Sequence, residues 1–172
     1  MSVRLDPSSW AYAFPMVRAG GVFIFTMGAG VVLGAFFPTR RRLLLIIGAA
    51  VATIAIVFLA APLSAPFGTP TRLQLWFLFG SISAEAILIR AAVALYRRAG
   101  ERSLLLAILF AVGLHFLPMA VAFGPVCAAL GVTLCLCAGF GLWLRPGIPL
   151  NTLWATDGLI KMAYGAIMLL AP

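Results

Sequence analysis

Asp157 and Lys161 stand four residues apart in the last apolar run of the chain, Leu150 to Leu170. On a helix of 3.6 residues per turn the two share a face, acid before base, which is the favourable order for an ion pair. Arg18, Glu85, Arg90 and His115 also fall inside apolar runs. Charge at bilayer depth is costly, so such groups turn towards protein or water and mark solute or ion paths by default. A carboxylate near a lysine at that depth can carry protons or help to hold an anion. Ser81 precedes Glu85 by one helical turn, and Ser83, Asn151 and Thr156 add hydrogen-bonding groups to the same two segments. Together they predict a polar seam. The competing reading makes these charges structural, holding helices to one another.

Depth sets which charges can meet. At about 1.5 Å of rise per residue, Glu85 and Lys161 both lie near mid-bilayer, while Arg90 and Asp157 lie about 10 Å from one surface. Antiparallel packing of their segments would pair Glu85 with Lys161 and Asp157 with Arg90. Residues 85 and 90 point about 140° apart on a regular helix, so Arg90 must reach round or else snorkel to headgroups. Asp157–Lys161 needs no such reach. Arg18, near the start of its segment, is expected to snorkel or to attract an anionic solute. His115 precedes Pro118 by three residues. It either hydrogen-bonds within the gap that proline opens in a helix or serves as a titrating relay.

The segments that must position these groups are easily delimited. A membrane-spanning helix needs about 20 mostly apolar residues. Six runs qualify: 13–37, 43–61, 73–96, 103–121, 126–144 and 150–170. Proline and glycine mark the breaks, at Pro38, Pro62 to Pro70, Ala99-Gly100, Gly124-Pro125 and Pro146-Gly147. The chain is 64% hydrophobic and 9% charged, against roughly 25% charged residues in soluble domains. That excludes a water-soluble core and predicts one polytopic domain over residues 1–172, an all-α membrane protein built as a six-transmembrane-helix bundle. A net charge of +8 does not indicate a nucleic-acid partner, because the bases cluster at the ends of apolar runs. Arg40, Arg41, Arg42, Arg97, Arg98, Arg102 and Arg145 lie on one side, against Arg4 and Arg72 on the other. Basic loops stay in the cytoplasm, so both termini are expected on the non-cytoplasmic side of a bacterial-type plasma membrane. Trp10, Tyr12 and Trp76 would mark one interface, and Tyr96, Trp143 and Trp154 the other. Cys127, Cys135 and Cys137 share one apolar run and read as free packing thiols. Gly30 and Gly34 form a GxxxG spacing that permits close helix packing, within the chain or between copies in a homo-oligomer.

One local pattern resembles a known family. Asp157-Gly-Leu-Ile-Lys161-Met-Ala-Tyr-Gly165 is similar to the final helix of microbial rhodopsins, Asp-x-x-x-Lys-x-x-Phe/Tyr-Gly. The resemblance implies a retinal Schiff base on Lys161 with Asp157 in its counter-ion. It covers nine residues, and the chain departs from that family in span number, in length and in lacking an aromatic retinal cage.

No nucleophile–base constellation, metal-binding spacing or phosphate-binding loop is visible. The sequence therefore leans away from an enzyme and predicts no cofactor. The leading expectation is a transporter or permease for a small solute, anionic or proton-coupled, with its site between the third and sixth segments. Glu85, Asp157, Lys161, Arg90, Ser81, His115 and Arg18 are the residues expected to serve it. A non-catalytic scaffold or subunit of a larger membrane complex is the alternative.

Overall fold

The computed structural model describes residues 10–145 and 147–171, without the side chains of Trp10 and Ala11. Arg4, Asp6, Pro146 and the Trp10 side chain, which the sequence reading used, lie outside the described residues. After one short turn, Trp10–Ala13, come six long helices: α1 (Val17–Phe36), α2 (Arg41–Ser64), α3 (Arg72–Tyr96), α4 (Glu101–Phe123), α5 (Pro125–Gly139) and α6 (Leu150–Leu169). A π-helical turn, Phe140–Leu144, prolongs α5. With that turn counted in α5, every end falls within four residues of the expected segments. No strand occurs among the described residues. Five of the helices, α1 to α5, are long and apolar enough to cross a membrane. The sixth has the length but carries Asn151, Asp157 and Lys161.

Local chemistry explains the boundaries. Thr71 and Gln74 form a capping box at the start of α3, each side chain bonded to the other's backbone N–H at 3.2 and 2.9 Å. Gln74 also donates to the Ala13 carbonyl at 2.7 Å, tying α3 to the chain just before α1. Gly124 turns the chain between α4 and α5 at φ 89°, a left-handed conformation that disfavours any side chain. Pro125 then opens α5, where a missing N–H costs nothing.

The helices form a ring in chain order. α1 packs on α2, α3 on α4, α4 on α5 and α5 on α6, and α6 closes the circle along α1. One joint departs from the rule, because the consecutive helices α2 and α3 do not pack along each other. Their connection is held elsewhere. Phe67 is buried, with Tyr12 edge-on to its ring at 5.5 Å and the Arg18 guanidinium over it at 4.5 Å.

Six alternating helices bring both chain ends to one face, where Arg18 donates to the Ala171 carbonyl at 2.8 Å. At the opposite, arginine-rich end, Arg102 of α4 caps the Gly141 carbonyl at 2.9 Å and the Ile148 carbonyl at 3.2 Å. Two apolar clusters fill the ring. Val17, Phe123, Cys127 and Met168 belong to the one near the termini. Ala35, Leu106, Ala138 and Leu153 belong to the other. Outward faces stay apolar, with Phe58, Trp76 and Phe79 all more than 60% exposed. Exposed apolar surface on this scale belongs against lipid rather than water.

Candidate functional site

Two backbones approach closely to carry the charged helix. A Cβ on Gly28 would lie 2.7 Å from the Gly158 carbonyl, and one on Gly21 would lie 2.7 Å from the Gly165 carbonyl. The glycines are seven apart on both α1 and α6, so one stripe of each helix lies flat against the other. Lys161 sits between these two contacts, its Cβ also 2.9 Å from the position a Gly28 Cβ would take. The close approach buries both charges, leaving Lys161 5% and Asp157 1% exposed. They form the expected ion pair within α6. Asp157 Oδ2 accepts from Lys161, while Oδ1 is buried with no hydrogen-bond partner.

Between the two apolar clusters lies a cavity of about 430 Å³. Its wall is mostly apolar, from Phe23 and Met27 of α1, Ala49 of α2 and Val112 of α4. Three ionisable side chains interrupt it: Glu85 of α3, His115 of α4 and Lys161 of α6. Lys161 borders the cavity and Asp157, which holds its ammonium, does not. Glu85 is half-buried, its Oε2 at 3.7 Å from His115 Nε2. The other ring nitrogen, Nδ1, lies 2.5 Å from the Val112 carbonyl and can only donate to it. In the neutral ring Nε2 then turns a lone pair towards the carboxylate. The contact is favourable when one proton is shared between the two groups, on the acid or on the ring.

The seam expected between α3 and α6 is not formed, because α3 packs on α4 and α6 on α1 and α5. Index arithmetic fixed depth along the two helices but not which neighbours each would choose. Glu85 consequently pairs with His115, although it shares the cavity with Lys161. Arg90 is exposed on the outer face of α3, beside Val93 and Arg97, and makes no ion pair with Asp157. The 140° separation from Glu85 prevails over the matching depth.

The seam's hydroxyls turn back on their own helices. Ser81 is buried and donates to the Phe77 carbonyl at 2.5 Å, while Ser83 and Thr156 are exposed and bond to Phe79 and Thr152. Asn151 instead accepts from Arg41 at 2.6 Å. Arg18 serves as a tie between Ala171 and Phe67 rather than reaching outward. His115 is bonded within its helix, yet to Val112 rather than to the Leu114 carbonyl that Pro118 leaves free.

Other expectations are corrected by packing. Gly30 meets Gly48 of α2, and Gly34 meets Arg41 and Trp154. Both glycines are buried, so this GxxxG spacing serves close packing within the chain. Trp154, expected at a membrane interface, is 2% exposed and forms part of the cavity wall. Arg41, read only as a loop base, is 7% exposed and stacks over Trp154 at 4.8 Å. Neither was visible in a sequence where Trp and Arg at run ends ordinarily face headgroups. Cys127, Cys135 and Cys137 are free thiols, the first of them buried. The rhodopsin-like pattern stays local, since six long helices are described where that resemblance implies seven.

Residues 8–172 match a protein family described as a family of unknown function, DUF6609. No curated protein and no solved structure matches the chain.

Proposed function

The chain belongs to this family, whose description assigns no activity, and from that premise we propose that it is a membrane permease for a small solute whose movement is linked to a proton. One observation carries the reading: a single cavity inside the helix ring is bordered by Glu85, His115 and Lys161, from three different helices. Ionisable groups kept at that depth are costly, so a use for them is expected. Glu85 and His115 form the proton-binding pair, and Lys161 attracts the solute. The reading includes all six helices as spans. In α6 the polar side chains Asp157 and Lys161 turn inward, which removes the objection to placing a less apolar helix in lipid. It also places the arginine-rich turns in the cytoplasm of a bacterial-type plasma membrane, with both termini on the opposite side.

The scaffold alternative draws on the polar ties that do join helices: Arg18 to Ala171, Arg41 to Asn151 and Arg102 to Ile148. Glu85 with His115 adds a tie between α3 and α4, whereas the Lys161–Asp157 pair lies within one helix and joins nothing. A structural role therefore accounts for the peripheral arginines better than for the buried Lys161–Asp157 pair.

The test is uptake into proteoliposomes of a panel of radiolabelled small carboxylates and neutral solutes, with and without an imposed pH gradient. At least one solute should accumulate above protein-free vesicles, driven by the gradient. Glu85→Gln should abolish that accumulation while preserving a monodisperse, folded protein. Uptake equal to empty vesicles across the panel, or full-rate uptake by the Gln variant, removes the reading.

A further inference from the structure

We propose that the ligand of this cavity is an amphipathic carboxylic acid, an apolar body ending in one carboxyl group, which reaches the cavity sideways from the bilayer between α2 and α3. The proposal deepens the reading above and rests on the cavity being a ligand site.

The route follows from the ring. Every other pair of neighbouring helices packs together, and α2 and α3 do not. Both helices contribute to the cavity wall, Leu45, Ile46 and Ala49 from one side and Glu85 from the other. Ile46 is 67% exposed while it borders the cavity, which sets it on the rim. The half-buried Glu85 side chain occupies the opposite rim. Towards the termini the way is filled by the buried cluster of Val17, Phe67, Phe123 and Met168. Towards the arginine-rich end, Trp154 under the Arg41 guanidinium and Leu106 fill it. What remains open is the side facing acyl chains.

The wall selects the chemistry. A wholly water-soluble ion would exchange its hydration for Phe23, Met27, Ala49 and Val112, which offer no hydrogen bonds. An apolar body fits them, and a space of about 430 Å³ lies in the range of pockets for drug-sized molecules. The head group is set by the polar end. Lys161 borders the cavity, and with one N–H engaged by Asp157 its ammonium keeps two further donors for a ligand. They suit an acceptor with negative charge. A carboxylate placed there also faces Glu85, and two carboxylates share such a space only when one is protonated. The acid would therefore be held together with one proton, on Glu85 or on the ligand, with His115 beside it as the alternate proton holder.

The experiment uses the full chain with Trp10, Trp76 and Trp143 changed to Phe, leaving Trp154 on the cavity wall as the only indole, in phosphatidylcholine vesicles. Adding 11-bromoundecanoate should quench Trp154 emission saturably, and unbrominated undecanoate should restore it. Acetate should not restore it. Quenching should become weak and unsaturable in the charge-neutral double variant Asp157→Asn/Lys161→Gln. It should do so too in Ala49→Phe, which narrows the proposed passage and leaves the ion pairs intact. Quenching that rises linearly with bromoundecanoate and is unchanged in Ala49→Phe reports membrane partitioning alone and overturns the proposal. Acetate competing as well as undecanoate also overturns it, while leaving a site for aqueous solutes and the permease reading intact. Saturable, undecanoate-specific quenching in a protein that moves no solute keeps the ligand assignment and removes the transport reading.

Discussion

The joint between α1 and α6 and the joint between α2 and α3 are built on opposite terms. The first joins helices at opposite ends of the chain, and Gly21, Gly28, Gly158 and Gly165 let their backbones touch. The second should be easier to close, since only a short connection separates its helices, yet they stay apart. In α3 a Cβ on Gly80 would meet nothing within 4 Å. Sequence proximity evidently does not decide which helices pack in an apolar surrounding, where the hydrophobic drive between spans is absent. Shape does, and small residues in matched stripes supply the shape. The sealed joint carries the buried ion pair; the unsealed one borders the cavity.

The largest effect is expected from breaking the sealed joint. Gly28→Leu would push a side chain into the Gly158 carbonyl and the Met162 N–H, both backbone atoms that cannot rotate away. Overpacking typically costs about 1–3 kcal/mol where side chains can yield, and here they cannot. The variant should give no monodisperse folded protein on size exclusion in mild detergent. Gly80→Leu, the matched change on α3, should leave thermal stability within about 0.5 kcal/mol of the parent, as surface changes generally do. Equal outcomes for the two would mean that the α1–α6 seam is not what holds the ring.

Next in size is the charge that the seam buries. Asp157→Asn removes the partner of a lysine only 5% exposed, and stranding one member of a buried pair costs about 3–5 kcal/mol. Glu85→Gln at the unsealed joint loses a 3.7 Å contact of a half-buried group and should cost about 1 kcal/mol or less. Thermal unfolding in one detergent at one pH compares them directly. A Glu85 variant as unstable as the Asp157 variant would favour the structural role for both pairs.

Much of this architecture was legible before any coordinates. Apolar runs of about 20 residues broken by proline, glycine and arginine yielded six helices with ends right to within four residues, because the signal for each is local. Asp157 with Lys161 was legible for the same reason, being fixed by spacing within one helix. Glu85 with His115 was not, since it depends on α3 choosing α4. The pattern that seals the ring is a spacing of seven rather than four. GxxxG at Gly30 and Gly34 drew attention by its familiarity, whereas the stripe that meets α6 is Gly21 and Gly28, recognisable only beside its seven-residue echo at Gly158 and Gly165. Trp154 and Arg41 illustrate a different gap. Side chains of those types at a run end ordinarily meet headgroups, and only packing reveals that one guanidinium has been folded inward over an indole. Replacing Arg41 with Ala should cost about 1–2 kcal/mol through the lost stacking and the Asn151 hydrogen bond, read as a lower unfolding midpoint. No change would place Arg41 with the solvated arginines beside it.

The smallest stability change is expected where the ring is open, and that smallness is informative. Ala49 of α2 is half-buried and borders the cavity, so a phenyl ring there can enter existing space without displacing backbone. In a packed core the same enlargement would cost about 1–3 kcal/mol. Here the added apolar contacts and the lost side-chain freedom should roughly cancel, leaving the unfolding midpoint of Ala49→Phe within about 0.5 kcal/mol of the parent. A loss comparable to that from overpacking would show that α2 and α3 close on each other in the bilayer. The contrast between the two joints would then belong to one conformation of a ring able to seal at both.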